Sequence, residues 1–287
     1  IKSRTGIEQR RWFSPGVDTT SNMGTKAAQQ AMDKAGVGKE DIDFIVFATL
    51  SPDYIFPGCG VLVQEELGLG TVGALDVRNQ CSGFIYGLSV ADQFIKTGMY
   101  KNVLLVGSEV HSIGLDFTTR GRGVSVIFGD GAGAVVLQPT EAKTGILTTK
   151  LHSNGAYAEK LAYINPGAHS GVHFKNKGEE VDFGYDPDQE FGGLFLTQQM
   201  VDNAQVYPNM EGQAVFKMAV TKFPEVVHEA LTEVGLTLKD INMFVPHQAN
   251  LRISQFVQRQ LKLRDDQVWN NIQKYGNTTA ASIPNAL

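Results

Sequence analysis

The stretch Asp43-Phe-Ile-Val-Phe-Ala-Thr49 decides the fold class, because an uninterrupted run of apolar, strand-favouring residues is bounded by polar ones. A run without alternation predicts a strand that is covered on both faces, as parallel sheets require. Ala74-Leu-Asp-Val77 and Asn102-Val-Leu-Leu-Val-Gly107 have the same character. The sequence therefore predicts a parallel sheet buried between helices.

Helical spacing of apolar residues and terminal signals place helices between these strands. The helices predicted from spacing are Ser21–Val37, Ser82–Gly98, Ala214–Val234 and Asn250–Leu261. Further strands are predicted at Val124–Phe128, Ala134–Leu137 and Ile241–Val245. This alternation is typical of α/β layering.

An internal similarity suggests that the chain contains two related halves. Asp41-Ile-Asp-Phe-Ile-Val46 is echoed by Asp240-Ile-Asn-Met-Phe-Val245, and the same offset aligns Cys81 with Ala280. We expect one half at 1–142 and another at 143–287, although two six-residue strands can also resemble each other by chance. The segment Asn165–Asn209, rich in Gly, Asp, Asn and Pro, is predicted to be a long excursion between the halves.

Composition excludes several classes of protein. The chain has 287 residues and a formal net charge of −5, which argues against generic nucleic-acid binding. Its sequence holds no apolar run long enough to span a membrane. Two cysteines are too few for a disulfide scaffold, and no Cys/His spacing predicts a zinc site. We therefore expect a cytoplasmic protein that binds neither nucleic acid nor membrane, and no metal.

Cys81 is the first candidate for chemistry. It follows a predicted strand and a short polar turn and leads into a predicted helix, where the helix dipole is expected to lower the thiol pKa. The alternative is an inert buried cysteine, which is the interpretation we give to Cys59. His247 follows a predicted strand, where α/β sheets bind ligands. Asn277 lies in Tyr275-Gly-Asn-Thr-Thr279 and could also be a helix cap.

The remaining histidines and a glycine run receive structural interpretations. The histidines at 111, 152, 169, 173 and 228 are predicted to be core or surface residues. Gly129-Asp-Gly-Ala-Gly133 lies between predicted strands and opens no helix, so we expect a bend or bulge there instead of a phosphate site.

Together these segments resemble β-ketoacyl-(acyl carrier protein) synthase III of the thiolase superfamily. The motifs that carry the resemblance are Arg4-Thr-Gly-Ile7, Cys81-Ser-Gly-Phe84, Phe128-Gly-Asp-Gly-Ala-Gly-Ala134, His247-Gln-Ala-Asn-Leu-Arg-Ile253 and Gly276-Asn-Thr278. The resemblance implies a thiolase-like fold of two pseudo-duplicated α/β halves in α-β-α-β-α layers. It also implies that Cys81, His247 and Asn277 are catalytic.

The resemblance further implies an acyltransferase of fatty acid biosynthesis. An acyl-coenzyme A primer would acylate Cys81, and malonyl-(acyl carrier protein) would then condense with it by decarboxylation. No permanently bound cofactor is expected, since coenzyme A and the carrier's phosphopantetheine arrive with the substrates.

Binding roles follow from the same resemblance. Arg4, Arg120, Gly212 and Phe216 would contact coenzyme A or phosphopantetheine, and Lys217, Arg252 and Arg259 would dock the acidic carrier protein. Phe56 would close the partner's acyl pocket in a homodimer.

The family pattern extends beyond both ends of this sequence. The family's coenzyme-stacking tryptophan would precede Ile1, and its C-terminal strands with a glycine-rich oxyanion turn would follow Leu287. We therefore expect the sequence to be incomplete.

Alternative functions stay open at this stage. One is a related priming or acyl-transfer enzyme of specialised metabolism that uses coenzyme A esters throughout. Another is a biosynthetic thiolase, which would need a second cysteine near the C-terminus. A third is a non-catalytic binder of acyl thioesters. The primer acyl group is not predicted by the sequence.

Overall fold

The computed structural model describes residues 1–168, 175–176, 179–180, 184 and 195–287. The chain forms two compact units. The first comprises Ile1–Ser112, Ile127–Leu151 and Val220–Leu287, and the second comprises Ile113–Val126 and His152–Ala219. The predicted division at 142/143 is a different partition, based on sequence similarity, and it stays a prediction. His169, His173 and most of 169–194 lie outside the described residues.

The described helices and strands are as follows. The helices are α1 Lys2–Thr5, α2 Thr20–Ala35, α3 Cys59–Glu66, α4 Gly83–Lys96, α5 Arg122–Ser125, α6 Gln198–Asp202, α7 Gly212–Glu233, α8 Leu251–Gln260 and α9 Ile272–Tyr275. The strands are β1 Phe44–Ala48, β2 Gly73–Val77, β3 Val103–Glu109, β4 Gly131–Leu137, β5 Leu161–Ala162, β6 Lys175–Asn176, β7 Glu179–Glu180 and β8 Asn209–Met210.

A four-stranded sheet of order β2-β1-β3-β4 forms the centre of the first unit. Strand β1 pairs in parallel with both β2 and β3, and β4 adds antiparallel to β3. All residues of β1 and β3 are buried. The predicted parallel strands covered on both faces are therefore confirmed for β1 and β3, whereas β2 is parallel but partly exposed, because it is the edge strand of the sheet.

The two faces of β1 pack against different helices. Ile45 and Phe47 join a buried cluster with residues of α2 and α3, whereas Phe44 and Val46 join a second cluster with residues of α4. Because side chains alternate across a strand, one apolar run supplies both layers. This helix–sheet–helix arrangement confirms the α/β fold class and brings the ends of β1, β2 and β3 to one edge.

Three sequence predictions need correction. The predicted strand at Val124–Phe128 begins instead as α5, because apolar residues in so short a run suit a helical turn as well as a strand. The glycine run is not wholly a bend, since Gly131 already begins β4. Ile241–Val245 forms no regular strand, because in the described chain only Phe244 pairs, in an isolated bridge with Val268.

The second unit contains short elements. β5 and β8 pair antiparallel, as do β6 and β7, and α7 contributes its first residues here, 212–219. Within the described part of the chain, no helix is long and apolar enough to cross a membrane.

Candidate active site

A strained turn presents Cys81. The residue lies in a single 3-10 turn, Gln80–Ser82, between β2 and the first residue of α4. Gln80 has a φ of 45°, a left-handed conformation that is costly for a residue with a side chain. The turn therefore holds the thiol where the sheet edge meets the amino end of a long helix, as the sequence predicted.

Asn277 is fixed by its backbone and by its side chain. Its N–H donates to the Ile127 carbonyl at 3.0 Å, and its carbonyl accepts the Gly129 N–H at 3.0 Å. The side-chain Oδ1 accepts the Thr279 N–H at 2.8 Å. Gly276 has a φ of 68°, and a Cβ there would lie 2.7 Å from the Ile127 carbonyl oxygen, so glycine is required before Asn277.

The Asn277 side chain lies beside Cys81, where hydrogen bonding from it lowers the pKa of the thiol. Because Asn277 Oδ1 already accepts from Thr279, its amide nitrogen is the group left to donate to the sulfur. Such a bond favours the thiolate and lowers the thiol pKa.

The prediction that the Cys81 thiol has a lowered pKa is wrong. Burial raises the pKa of Cys81 to about 12, the negative charge of Glu109 raises it further, and the Asn277 bond opposes them only in part. Desolvation of the charged form outweighs the partial charge at the helix end. Cys81 therefore rests as a thiol at neutral pH.

His247 follows buried Pro246 and points one ring nitrogen at Ser282. The Nδ1 atom lies 2.5 Å from Ser282 Oγ. Nε2 is buried and finds no hydrogen-bond partner among the residues that the structure describes. Burial lowers the pKa of His247 to about 4, so the ring is neutral at pH 7. If Ser282 donates to Nδ1, the proton stays on Nε2, which can then donate to a substrate oxygen.

The three predicted catalytic residues converge on one short segment. Asn277 begins it, the 3-10 turn Thr279–Ala281 continues it, and Ser282, which contacts His247, ends it. Cys81 contacts Asn277, and a Cβ on Gly83 would lie 3.5 Å from the Cβ of Ala280. A thiol, an amide donor and a neutral imidazole therefore lie along one short segment, 277–282.

Glu109 belongs to the same region, and the sequence reasoning missed it. It ends β3, is fully buried, and raises the pKa of Cys81. Burial in turn raises the pKa of Glu109 to about 7. The available signal was an acidic residue two positions after the apolar run Val103–Gly107, where a buried charge requires partners.

The other described histidines and Cys59 lie in the core or at the surface. His111 is buried and stacks on Phe128 with ring centroids 4.1 Å apart, whereas His152 and His228 are exposed. Cys59 is fully buried, and burial raises its thiol pKa to about 12, as expected for an inert cysteine. Across the described chain, no group of three potential metal ligands is found.

The predicted binding residues of the first unit are exposed. Arg4 lies on α1, and Arg252 and Arg259 lie on α8. The Arg252 guanidinium donates to the Ser3 carbonyl at 2.8 Å, which places it beside Arg4. Phe56 is 85% exposed and is flanked by exposed Tyr54 and Ile55.

The remaining predicted residues belong to the second unit. Arg120 forms an ion pair with Asp116 at 2.7 Å and lies over the Tyr207 ring at 5.7 Å. Its hydrogen bond lowers the pKa of Asp116 to about 2. Gly212 begins α7, Phe216 is half-buried on it, and Lys217 is exposed.

Comparison with known proteins identifies the relatives of this chain. Residues 75–155 match the family described as 3-oxoacyl-(acyl carrier protein) synthase III, and residues 231–287 match the C-terminal part of that family. A β-ketoacyl-(acyl carrier protein) synthase III of Caldanaerobacter subterraneus is 40% identical over all of this chain and 78% of its own length. The same-named protein of a Sulfurovum species is 38% identical, over 100% of this chain and 77% of its own.

A solved structure has the same fold. The 3-oxoacyl-(acyl carrier protein) synthase III of Aquifex aeolicus superposes with a TM-score of 0.81 at 38% identity, over 100% of this chain and 79% of that one. With the motifs, the thiol–amide–imidazole arrangement and these similarities in agreement, the chain belongs to the thiolase-fold β-ketoacyl-(acyl carrier protein) synthase III family.

Proposed function

We propose that this protein condenses an acyl-coenzyme A primer with malonyl-(acyl carrier protein) through an acyl-Cys81 intermediate, and so initiates fatty acid synthesis. The observation that carries the proposal is the single segment 277–282, which fixes the Asn277 amide through Thr279 and holds a neutral His247 through Ser282, with His247 Nε2 buried and available beside Cys81. This is the donor set that an enolate and a thiolate both need.

In the first half-reaction, the Cys81 sulfur attacks the primer thioester carbonyl, and the bond to coenzyme A breaks. Because Cys81 rests as a thiol, its proton leaves during the attack and ends on the departing coenzyme A thiolate. The Asn277 amide stabilises the developing negative charge on sulfur, which partly offsets the burial.

In the second half-reaction, the malonyl thioester loses carbon dioxide and becomes an enolate. We infer that His247 Nε2–H and the Asn277 amide donate to its oxygen. The enolate carbon attacks the acyl-Cys81 carbonyl, a carbon–carbon bond forms, and the carbon–sulfur bond breaks. The released Cys81 sulfur takes up one proton and returns to the thiol.

The test is the intact mass of the protein after mixing with acetyl-coenzyme A. An acetyl adduct is expected on the wild type and on Cys59→Ala, and none on Cys81→Ala. Product formation is then followed with malonyl-(acyl carrier protein) and, separately, malonyl-coenzyme A. Absence of any adduct would leave a non-catalytic thioester binder, and reaction with malonyl-coenzyme A alone would assign the enzyme to a coenzyme A-dependent relative.

We also propose a cytoplasmic homodimer, with acyl-coenzyme A and the carrier protein as its partners and no resident cofactor. The consecutive exposed side chains Tyr54, Ile55 and Phe56 support self-association, since contiguous apolar surface favours burial against a partner. Sedimentation of the wild type and of Phe56→Asp would test the dimer.

Arg4 and Arg120 are proposed to hold the coenzyme A phosphates and adenine, with Gly212 and Phe216 beside the phosphopantetheine.

A further inference from the structure

Glu109 is a buried carboxylate with five close donor contacts and no role in the half-reactions above. Its Oε2 accepts the Ser51 hydroxyl at 2.6 Å, the Thr49 hydroxyl at 3.0 Å and the Leu50 N–H at 3.2 Å. Its Oε1 accepts the same Leu50 N–H at 3.2 Å and the Ala280 N–H at 3.4 Å. In each of these contacts the partner is a hydrogen-bond donor. The carboxylate therefore connects residues 49–51, which follow β1, to Ala280 in the turn after Asn277.

The tie to Ala280 acts on the turn that carries Asn277. Thr279 has a φ of 52°, a left-handed conformation that persists only when surrounding contacts hold it. Its N–H is the group that fixes Asn277 Oδ1. Glu109 accepts from the next residue, Ala280, and therefore stabilises the strained part of the turn.

The surface of β3 is shaped for the same turn. Gly107 and Glu109 lie on one face of the strand, since side chains two residues apart point the same way. A Cβ on Gly107 would lie 2.7 Å from the Ala280 carbonyl oxygen. Gly107 therefore leaves room for the Ala280 backbone beside β3, and Glu109 accepts a hydrogen bond from the Ala280 N–H.

We propose that Glu109 is a positioning residue, which anchors the 279–281 turn and thereby aims the Asn277 amide at Cys81. Its effect on the condensation step rests on the proposed function. The charge of Glu109 also reaches the two thiols in its surroundings, Cys81 and Cys59, and raises the pKa of both. Removing the carboxylate should therefore change Cys81 in two separable ways, through charge and through the turn.

Two variants separate these effects. Glu109→Gln removes the charge but keeps an amide oxygen for the Leu50 and Ala280 N–H groups, while its NH2 can donate to the Ser51 and Thr49 hydroxyls. Glu109→Ala removes the charge and leaves both N–H groups without their acceptor. The two variants therefore differ in whether residue 109 can still accept hydrogen bonds from the Leu50 and Ala280 N–H groups. Thermal unfolding shows whether each variant folds.

The first measurement is the pH profile of Cys81 alkylation by iodoacetamide, with the site of modification read by mass. Glu109→Gln should shift the profile to lower pH than the wild type, because a negative charge near the thiolate is gone. The profile of Glu109→Ala should lie at higher pH than that of Glu109→Gln, because the turn no longer holds the Asn277 amide where it lowers the pKa of the thiol. Coincident profiles for the two variants would overturn the positioning role.

The second measurement compares the two half-reactions. Glu109→Ala should lower malonyl decarboxylation and condensation on the order of 10²-fold, as small misplacements of a catalytic group do, with a smaller fall in Cys81 acylation. Glu109→Gln should retain most of both. Equal losses in both half-reactions, or full condensation by Glu109→Ala, would contradict the proposal.

The outcomes also separate this proposal from the proposed function. If the wild type forms no acyl adduct, the proposed function fails, whereas the alkylation profiles still decide whether Glu109 aims Asn277. Gly107→Ala provides an independent displacement of the same turn, and it should reproduce the selective loss of condensation seen with Glu109→Ala.

Discussion

At the scale of single residues, Asn277 has two constraints that leave it one orientation. Its oxygen is held by the Thr279 N–H, and its backbone is bonded to the loop 127–129 on both sides. A residue with this many contacts cannot turn to meet a substrate, so its amide must already lie where charge develops. Preorganised donors of this kind lose little free energy to rearrangement during reaction.

Replacing Asn277 by Ala should affect the half-reactions unequally. Decarboxylation of the malonyl thioester should fall by about 10²–10³-fold, the usual effect of losing one oxyanion donor. Acylation of Cys81 should fall less, although the thiol pKa should rise because the amide that lowers it is gone. Rates of carbon dioxide release and of adduct formation measure the two effects.

Asn277→Asp is the matched comparison for that variant. It preserves the acceptor for the Thr279 N–H but places a carboxylate beside the sulfur, so acylation should fall below that of Asn277→Ala. An Asp variant that acylates as fast as the wild type would show that the amide does not face Cys81.

Two histidines whose rings lose hydration on folding should make the fold sensitive to acid. Burial lowers the pKa of His111 and His247 to about 4, below the pKa of 6.5 expected after unfolding. The unfolded state therefore binds more protons between pH 4 and 6.5, and stability rises with pH across that window. Each histidine accounts for at most about 3 kcal/mol by pH 4.

Glu109 opposes this trend, since its pKa is raised to about 7 and the folded state holds its proton between pH 4.5 and 7. Between pH 4.5 and 6.5 the two histidines add more stability with rising pH than the one carboxyl removes. Stability should therefore rise on balance over this range. His111→Phe, which preserves the stack on Phe128, should flatten the slope of unfolding free energy against pH. Denaturant titrations at several pH values test this, and an unchanged slope in His111→Phe would contradict it.

At the scale of elements, the ends of β1, β2 and β3 carry the groups that meet at the site. Strand β2 leads to Cys81, β3 ends in Glu109, and β1 leads to Thr49 and Ser51. The helices fix the spacing of these strands by packing on both faces. Site geometry therefore depends on close helix–sheet contact well away from the thiol.

Gly24 of α2 offers a direct test of that dependence. A Cβ at this position would lie 2.8 Å from the fully buried Phe47 ring of β1. Gly24→Ala gains about 1 kcal/mol in helix propensity but overpacks a rigid contact, which typically costs about 1–3 kcal/mol. We expect net destabilisation in denaturant unfolding. Gly123→Ala, in α5 with nothing within 4 Å of its Cβ, should not destabilise.

The elements also show what the sequence could and could not predict. β1 and β3 were predictable because their apolar runs are buried on both faces, and α2 because its caps and spacing agree. Val124–Phe128 was not, because five mixed residues suit either helix or strand. The Cys81 pKa was not, because it depends on burial after folding and on Glu109 and Asn277, which are distant in sequence.

The site shows the same limit. Cys81, His247 and Asn277 were each ambiguous alone and became specific through their order and spacing. Glu109 stayed hidden because its partners at 49–51 and 280 adjoin it only after folding.

At the scale of the whole molecule, exposed arginines carry a local charge opposite in sign to the net charge of the protein. The protein carries a formal net charge of −5, yet Arg4, Arg252 and Arg259 are exposed in one unit, with Arg252 bonded beside Arg4. An acidic carrier protein would be repelled by the average charge and attracted by such a basic surface. Long-range attraction of this kind acts mainly on the rate of association.

Arg259→Glu should therefore act on the carrier step alone. KM for malonyl-(acyl carrier protein) should rise several-fold at low salt with little change in kcat, and the difference should shrink at high salt because exposed charges are screened. Acylation by acyl-coenzyme A should be unaffected, since Arg259 contacts none of the three proposed catalytic residues in the described structure and lies over Phe256 instead. Lys239→Glu makes the same charge change at another exposed site. If it raises KM equally, the effect belongs to net charge and α8 is not the docking surface.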